Sequence, residues 1–404
     1  MRQALDSFGR KRGRAVKIKV HPEDFQVTER LDLPISSTGG TYAIYRLKKR
    51  GWNTVDAIAA AARANGVPVS AIGYGGKKDR HASTEQFLSV PSRYCLDFEA
   101  RNVSVSREGF AGDFISSLHL LGNEFRITLR DLSGKESASI ETGAGRVQRW
   151  GFANYFDDQR FGSVSEGAFL AERLIRGELS GALQLFFCAV HPEDPTPLKA
   201  LKSMRRENWG DWAKIASLCR TRDESQVARV LASDPSRQGM LRAVNAIPRE
   251  TLSMAFSAYQ SFLWNETLRK LVGLYGRQTF EVHGRVAPTL HFGSLEPQGN
   301  NPLAEAVVPT EAGKLGPVDE GTRRIMDGVL EERGVRRPQF NLRGVRKSFF
   351  KSFPRRAVCM PKDLVLFPPE PDGAYPGKLC RPMGFFLPKS SYATMFLKAL
   401  TGIA

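Results

Sequence analysis

Hydrophobic and polar positions alternate near the start of the chain. Val16, Ile18 and Val20 are interleaved with Lys17 and Lys19, the period-two pattern of a half-buried strand. Pro22 interrupts it, and Phe25 and Val27 resume the alternation. A second strand is expected over 42–47 (YAIYRL), followed by the basic triplet Lys48-Lys49-Arg50. Thr54 reads as the N-cap of an alanine-rich helix running to about Ala64 and ending near Gly66. Glycines crowd the turn beyond residue 69, ahead of an apolar strand, EQFLSV. Strand patterning returns over 115–132, then helix over 136–150 and again over 166–190.

Pro192, Pro195 and Pro197 interrupt the chain, and residues 200–275 are mostly helical in pattern. Short strands and Gly/Pro-rich loops are expected over 280–350, β-structure over the last fifty residues, and a closing helix over 393–400. Strand-rich ends around a helix-rich middle predict an α+β protein, in which a helical domain interrupts a β-rich one. The expected boundaries are 1–180 and 351–404 for the β-rich domain and 181–350 for the insertion.

Composition narrows the function. Of 404 residues, 59 are Lys or Arg and 42 are Asp or Glu, a formal charge of +17 that fits a polyanionic partner. Nucleic acid comes first and an acidic membrane surface second. Cys95, Cys188, Cys219, Cys359 and Cys380 are scattered and show no C-x-x-C spacing, so neither a disulfide framework nor a zinc site is expected. A reducing, cytoplasmic setting and no metal follow as expectations. No run approaches the ~18 apolar residues of a membrane span. The segment MRQALDSFGRKRGR lacks an apolar signal core and reads as a basic arm.

The densest reactive cluster is GYGGKKDRHASTEQ, residues 73–86. Asp79 sits there among Lys77, Lys78, Arg80 and His81, and nearby cations favour its ionised form. A positioned carboxylate of this kind suits a covalent nucleophile or a general base. For an arbitrary loop, a solvated turn would be the commoner explanation. A phosphate-binding P-loop is excluded by spacing.

These residues belong to a larger pattern. Gly76, Lys78, Asp79, Ala82, Thr84 and Gln86 form G-x-K-D-x-x-A-x-T-x-Q, which resembles the signature of the TruD family of pseudouridine synthases. Lys19 to Phe25 resembles that family's K-x-x-P-E-D-F. Asn154 to Gly162 resembles N-Y-F-G-x-Q-R-F-G, with Asp157 in place of glycine. Leu387 to Thr394 resembles L-P-x-G-S-[YF]-A-T, with Ser390 in place of glycine. AYQSFLWN, residues 258–265, is a weaker fifth match.

The resemblance implies a catalytic domain built on an antiparallel sheet, interrupted by a helix-rich TRUD-type insertion. It implies isomerisation of uridine to pseudouridine in tRNA, with uridine 13 of the D arm the usual target, other RNAs the substrates of some relatives, and no cofactor. Asp79 would be the catalytic aspartate and Lys19 the cation that keeps it anionic. Phe156 would stack on the base, Asn154 would bond the nucleotide or the active-site loop, and Phe25 and Tyr392 would line the pocket. A monomer is expected.

For the RNA backbone, the stretch RGVRKSFFKSFPRR over 343–356 supplies Arg343, Arg346, Lys347 and Lys351 among phenylalanines, with Lys49 a further candidate. A strand of core Phe and surface cations explains that stretch equally well. The rival from another class is a catalytically silent RNA-binding or assembly factor on the same scaffold. A membrane-surface protein is disfavoured, since no basic amphipathic helix or lipidation motif is present.

Overall fold

The computed structural model describes residues 16–165, 167–283, 289–296, 303–346 and 349–402. The basic arm and Lys347 therefore lie outside the described residues. The chain divides into two compact units: Met1–Phe152 with Cys359–Ala404, and Ala153–Val358. These breaks fall some way from the expected 180/181 and 350/351. The helical segment after residue 170 packs against the long helix of the second unit.

The first unit is organised on a ten-stranded sheet. In chain order its strands and helices are β1 (Phe25–Leu31), β2 (Tyr42–Arg50), α1 (Thr54–Ala64), β3 (Gly73–Tyr74), β4 (Ser83–Pro91), β5 (Phe98–Ala100), β6 (Val103–Ala111), β7 (Leu120–Leu132), α2 (Gly134–Trp150), β8 (Lys362–Leu366), β9 (Glu370–Pro371) and β10 (Leu379–Pro388). The order across the sheet is β8-β10-β7-β1-β4-β2-β6-β5, with β9 on β10 and β3 on β4. Every pair is antiparallel except β1 with β4.

Register explains which side chains meet. Val27 faces Thr84 on β4, and Thr84 faces Lys49 on β2. Phe25, Val27, Glu29, Lys49, Thr84 and Gln86 therefore share one face. On that face α1 buries Ala57, Ile58, Ala61 and Ala62 against Tyr45, Leu47, Leu88 and Val105. The small alanines let the helix lie close to the sheet. Asn53, not Thr54, holds the N-cap position of α1.

The strand expected over 16–20 is absent as a regular element. Only Lys17 bridges to Arg130, and Lys19 takes φ 57, which a continuous strand cannot accommodate. Residues Pro22–Asp24 then form a 3-10 turn before β1.

Helix α2 starts with a capping box: Ser133 Oγ accepts from the Glu136 N–H at 3.2 Å, and Glu136 Oε2 accepts from the Ser133 N–H at 2.7 Å. It runs beside the C-terminal helix, Ala393–Thr401. A Cβ placed on Gly143 would lie 2.1 Å from the Leu400 carbonyl oxygen, so glycine is required by the approach of two backbones.

The second unit is mostly helical, with α3 (Leu170–Ile175), α4 (Leu179–Cys188), α5 (Thr196–Glu207), α6 (Trp212–Ser217), α7 (Arg222–Ser233), α8 (Arg237–Ala246), α9 (Arg249–Tyr275) and α10 (Glu320–Glu332). Two short antiparallel strand pairs, Arg277–Val282 with Leu290–Ser294 and Val307–Pro309 with Pro354–Arg356, agree with the short strands expected there. Long α9 is buried on most sides, including Phe256, Tyr259, Leu263, Trp264 and Leu268. Helix α10 falls where only strands and loops were expected. Asp319 caps it, accepting from the Thr322 N–H at 2.8 Å, and Met326, Val329 and Leu330 are buried. Among the described residues no helix is long and apolar enough to cross a membrane.

Gly143→Ala should lower stability by about 1–3 kcal/mol through overpacking against backbone. Gly145→Ala, in the same helix with nothing within 4 Å, should raise it by about 0.5–1 kcal/mol. Urea titration of both variants checks the pair.

Candidate active site

Asp79 lies on the loop between β3 and β4, and that loop is fixed through its backbone. Thr54 Oγ1 accepts from the Lys78 N–H at 2.9 Å and donates to Gln86 Oε1 at 3.1 Å. Gln86 Nε2 in turn donates to the Gly76 carbonyl at 3.1 Å. Lys49 Nζ donates to the Asp79 carbonyl at 2.8 Å and to the Lys78 carbonyl at 3.4 Å. The start of α1 and the ends of β2 and β4 thus grip the loop from three elements.

Lys78, the neighbour of Asp79, faces inward. Its ammonium pairs with Glu29 at 2.7 Å and donates to Asn123 Oδ1 at 2.8 Å. Glu29 Oε2 also accepts from the Phe87 N–H at 3.0 Å. The Glu29 side chain is fully buried, so this pair locks the loop to β1 from beneath.

Lys19 reaches the Asp79 carboxylate directly, as an ion pair through Asp79 Oδ2. The other oxygen, Oδ1, accepts from the His81 N–H at 2.9 Å. Lys19 is itself placed by its flanks. Lys17 exchanges backbone bonds with Arg130 at 3.2 and 2.9 Å, and Arg130 pairs with Asp24 at 2.7 Å and Asp372 at 2.9 Å. Asp24 also accepts from the His21 N–H at 2.8 Å, closing the 3-10 turn. The polar residues of K-x-x-P-E-D-F thereby aim one lysine at one aspartate. Lys19 Nζ also stands 4.3 Å over the Phe25 ring.

Burial raises the Asp79 pKa, but Lys19 and the His81 N–H outweigh it and hold the carboxyl below its ordinary value. Its side chain remains 31% exposed, ionised and open to a reactant. Lys49 goes the other way: desolvation lowers it to about 8, partly offset by Asp79.

The expected site residues divide between the two units. Lys19, Phe25, Asp79 and Tyr392 are in the first, Asn154 and Phe156 in the second. Phe25 is buried under Lys19 and edge-on to Phe125 at 6.0 Å. Tyr392, half-buried, precedes the C-terminal helix, its carbonyl accepting from the Met395 and Phe396 N–H groups. Ser390 takes φ 67, the conformation that explains a usual glycine there. Asp157 does not: at φ −86 it lies in ordinary extended space.

In the second unit Arg355 organises the Asn154–Phe156 segment. Its guanidinium donates to the Asn154 carbonyl at 2.6 Å, to Asn154 Oδ1 at 3.0 Å and to the Tyr155 carbonyl at 3.3 Å. It also lies 4.0 Å over the Phe156 ring. Asn154 Nδ2 donates to the Arg356 carbonyl at 3.2 Å. In this conformation the Asn154 amide is engaged within its own unit and Phe156 is only 3% exposed. The AYQSFLWN match supplies the rest of the frame. Asn265 bonds the Phe156 N–H and carbonyl at 2.8 and 2.9 Å, and Trp264 packs edge-on to Phe156 at 5.5 Å.

Two cations change role. Lys49, expected at the RNA backbone, is 3% exposed, and its ammonium is used by the Asp79 loop. Arg355, expected among surface cations, is buried. Arg343, Arg346 and Lys351 are exposed. Among the described residues of 343–356 only Pro354–Arg356 is strand: Phe349 is 71% exposed while Phe350 stacks on Phe256 at 4.5 Å. Sequence reasoning missed Glu29, Thr54 and Arg130 as supports of the site. The spacing Glu29 to Phe25 on one strand face was the available signal for Glu29.

Comparison with known proteins gives a consistent result. Residues 8–288 match the family described as tRNA pseudouridine synthase D (TruD). A protein named tRNA pseudouridine synthase D from Leptospira interrogans is 28% identical over 389 residues, covering 95% of each chain. One of the same name from Aquifex aeolicus is 26% identical over 396 residues, covering 95% of this chain and 98% of the relative. A solved TruD structure from Methanosarcina mazei shares the fold, with a TM-score of 0.73 over 95% of this chain and 93% of that one at 22% identity.

Two outcomes are expected from the supports. Lys19→Met removes the larger of the two influences that lower the Asp79 pKa and leaves only the His81 N–H against burial, which raises it. Activity should fall by about tenfold to a hundredfold at pH 7, and its acid limb should move upward, as a pH–rate profile will show. Glu29→Gln leaves Lys78 buried without its counter-charge and should cost about 3–5 kcal/mol, with much of the loss recovered in Glu29→Gln/Lys78→Met. Denaturant melts of the single and double variants measure this.

Proposed function

This chain belongs to the TruD family of tRNA pseudouridine synthases, and we propose that it isomerises uridine 13 in the D arm of tRNA with Asp79 as the catalytic carboxylate. The observation that carries this reading is the Asp79 carboxylate itself. It is ionised by Lys19, fixed through its loop backbone, and partly open.

The reaction needs a carboxylate and little else. Either the carboxylate bonds to the anomeric carbon of the ribose as N1–C1′ breaks, or it removes the 2′ proton as N1–C1′ breaks. The freed uracil turns and its C5 bonds to C1′, which expels the carboxylate in the first route and is accompanied by return of the proton to C2′ in the second. The C5 proton then leaves while N1 gains one. Atoms balance without a redox or group-transfer partner. Lys19 keeps the carboxylate anionic, and the Phe25 ring beneath it keeps the ammonium in place. We extend the proposal to Tyr392, Asn154 and Phe156 as nucleotide contacts in the tRNA-bound enzyme. For Phe156 this requires the Arg355 guanidinium to give up a ring face to the base. Arg343, Arg346 and Lys351 are proposed as backbone contacts, and the working form as a cytoplasmic monomer.

The test uses unmodified tRNA carrying tritium at uridine C5. The purified protein should release tritium and form pseudouridine at position 13, whereas Asp79→Ala should release none while still binding tRNA. Equal release by both would remove Asp79 from the chemistry. Release from another uridine would leave the chemistry and change the target. Binding without release by the unaltered protein would favour the silent binder.

A further inference from the structure

In the second unit a cleft of about 560 Å³ opens between the α3–α4 corner, α8 and the segment 338–345. Its apolar lining comes from Leu174, Ile175, Leu179, Leu241, Leu342 and Val345. Its polar lining is Arg237, Arg343, Gln238, Gln339 and Asn341, with no carboxylate. Other clefts differ in this respect. A smaller one of about 310 Å³ holds Arg173, Arg176 and Arg333 beside Glu172 and Glu332, and Glu172 pairs with Arg333 at 2.6 Å and Arg176 at 3.0 Å. A groove of about 430 Å³ on the first unit's sheet sets Arg126 beside Glu124 and Asp363. Arg237 and Arg343, by contrast, form no ion pair with any described residue.

The cleft is also built in advance. Asn245 Nδ2 donates to the Gly344 carbonyl at 2.8 Å, and Asn245 Oδ1 accepts from the Arg346 N–H at 2.8 Å, so α8 holds the loop that carries Arg343. Gly344 has φ 88, and a Cβ there would meet Leu241 at 2.7 Å. Arg237 Nη1 donates to the Gly177 carbonyl at 3.2 Å, anchoring the opposite rim.

We propose that this cleft receives one unpaired nucleotide of the RNA substrate, away from the nucleotide that reacts. The base rests on the aliphatic floor, the amides of Gln238, Gln339 and Asn341 meet its edges, and Arg237 and Arg343 take the flanking phosphates. The volume is within the ~300–1,000 Å³ of small-ligand sites. Two unneutralised guanidiniums and no carboxylate fit an anion, and an apolar floor fits a base that is not already stacked in a helix. The proposal rests on RNA being the substrate, and adds a second point of recognition remote from Asp79 in sequence.

The test has two arms. In the first, tRNA affinity is measured across a salt series for Arg237→Gln/Arg343→Gln and for Leu241→Phe, which fills the floor. The charge variant should weaken binding at least tenfold and reduce the salt slope by about 1–2. Leu241→Phe should weaken binding with the salt slope unchanged. Wild-type affinity in Leu241→Phe would overturn the pocket and leave only surface charge. The second arm needs neither activity nor a substituted protein. A single-stranded oligoribonucleotide carrying 4-thiouridine is photo-crosslinked to the unaltered chain, and the modified peptides are sequenced. Crosslinks in 237–241 or 338–345 support the site, and crosslinks confined elsewhere overturn it. If crosslinks map there but tRNA is never isomerised, the functional reading fails and the cleft stands.

Discussion

The ion pair between Lys19 and Asp79 is the interaction on which the rest of the candidate site in the first unit depends. It joins two segments 60 residues apart, and each side is prepared for it separately. Lys19 is turned out of strand geometry at φ 57, after a backbone bridge to Arg130 and before a turn closed by Asp24. Asp79 is presented by a loop whose carbonyls and N–H groups are taken by Lys49, Thr54 and Gln86. Without the pair, only the His81 N–H would favour the ionised carboxylate against burial. With it, the group is held below its usual pKa, so the stabilisation is present above the ordinary carboxylate range and is lost as pH falls through the lowered value.

The net charge of +17 is spent in several ways. Lys19 tunes a carboxylate, Lys78 satisfies buried Glu29, Lys49 holds a loop, and Arg355 ties down the Asn154–Phe156 segment. None of these is free to meet a phosphate. The cations that remain exposed include Arg343, Arg346 and Lys351, and Arg343 stands at the rim of the cleft beside α8. A count of basic residues thus overstates the surface offered to a polyanion.

Much of this fold was legible in the sequence. Alternation and apolar runs pointed to β1, β2, β4 and β7, and alanine content with a terminal glycine to α1. What failed has physical causes. Val16, Ile18 and Val20 alternate, yet an isolated bridge and a left-handed lysine replace the strand because Lys19 must reach Asp79. Helix α10 was hidden by Gly321 and Gly328, which blur a 3.6-residue period that Thr322, Met326, Val329 and Leu330 still carry. Thr54 was recognised as a polar residue at a helix start, but its hydroxyl serves the Asp79 loop. Asp79 was singled out by the cations around it, motif resemblance added Lys19, and the structure brings the two side chains together. Their supports, Glu29 and Arg130, were not found, because one charged residue on a strand gives no hint of which partner lies across the sheet.

The most direct test of this account is the ionisation of Asp79, read without reference to turnover. With aspartate ¹³Cγ labelling, and Asp79→Asn to assign the signal, its titration can be followed in the unaltered chain and in Lys19→Met. The expected midpoint lies below the ordinary aspartate value of 3.8 in the first and is higher in the second than in the first. A midpoint at or above 3.8 with Lys19 in place, or one that Lys19→Met does not raise, would contradict it.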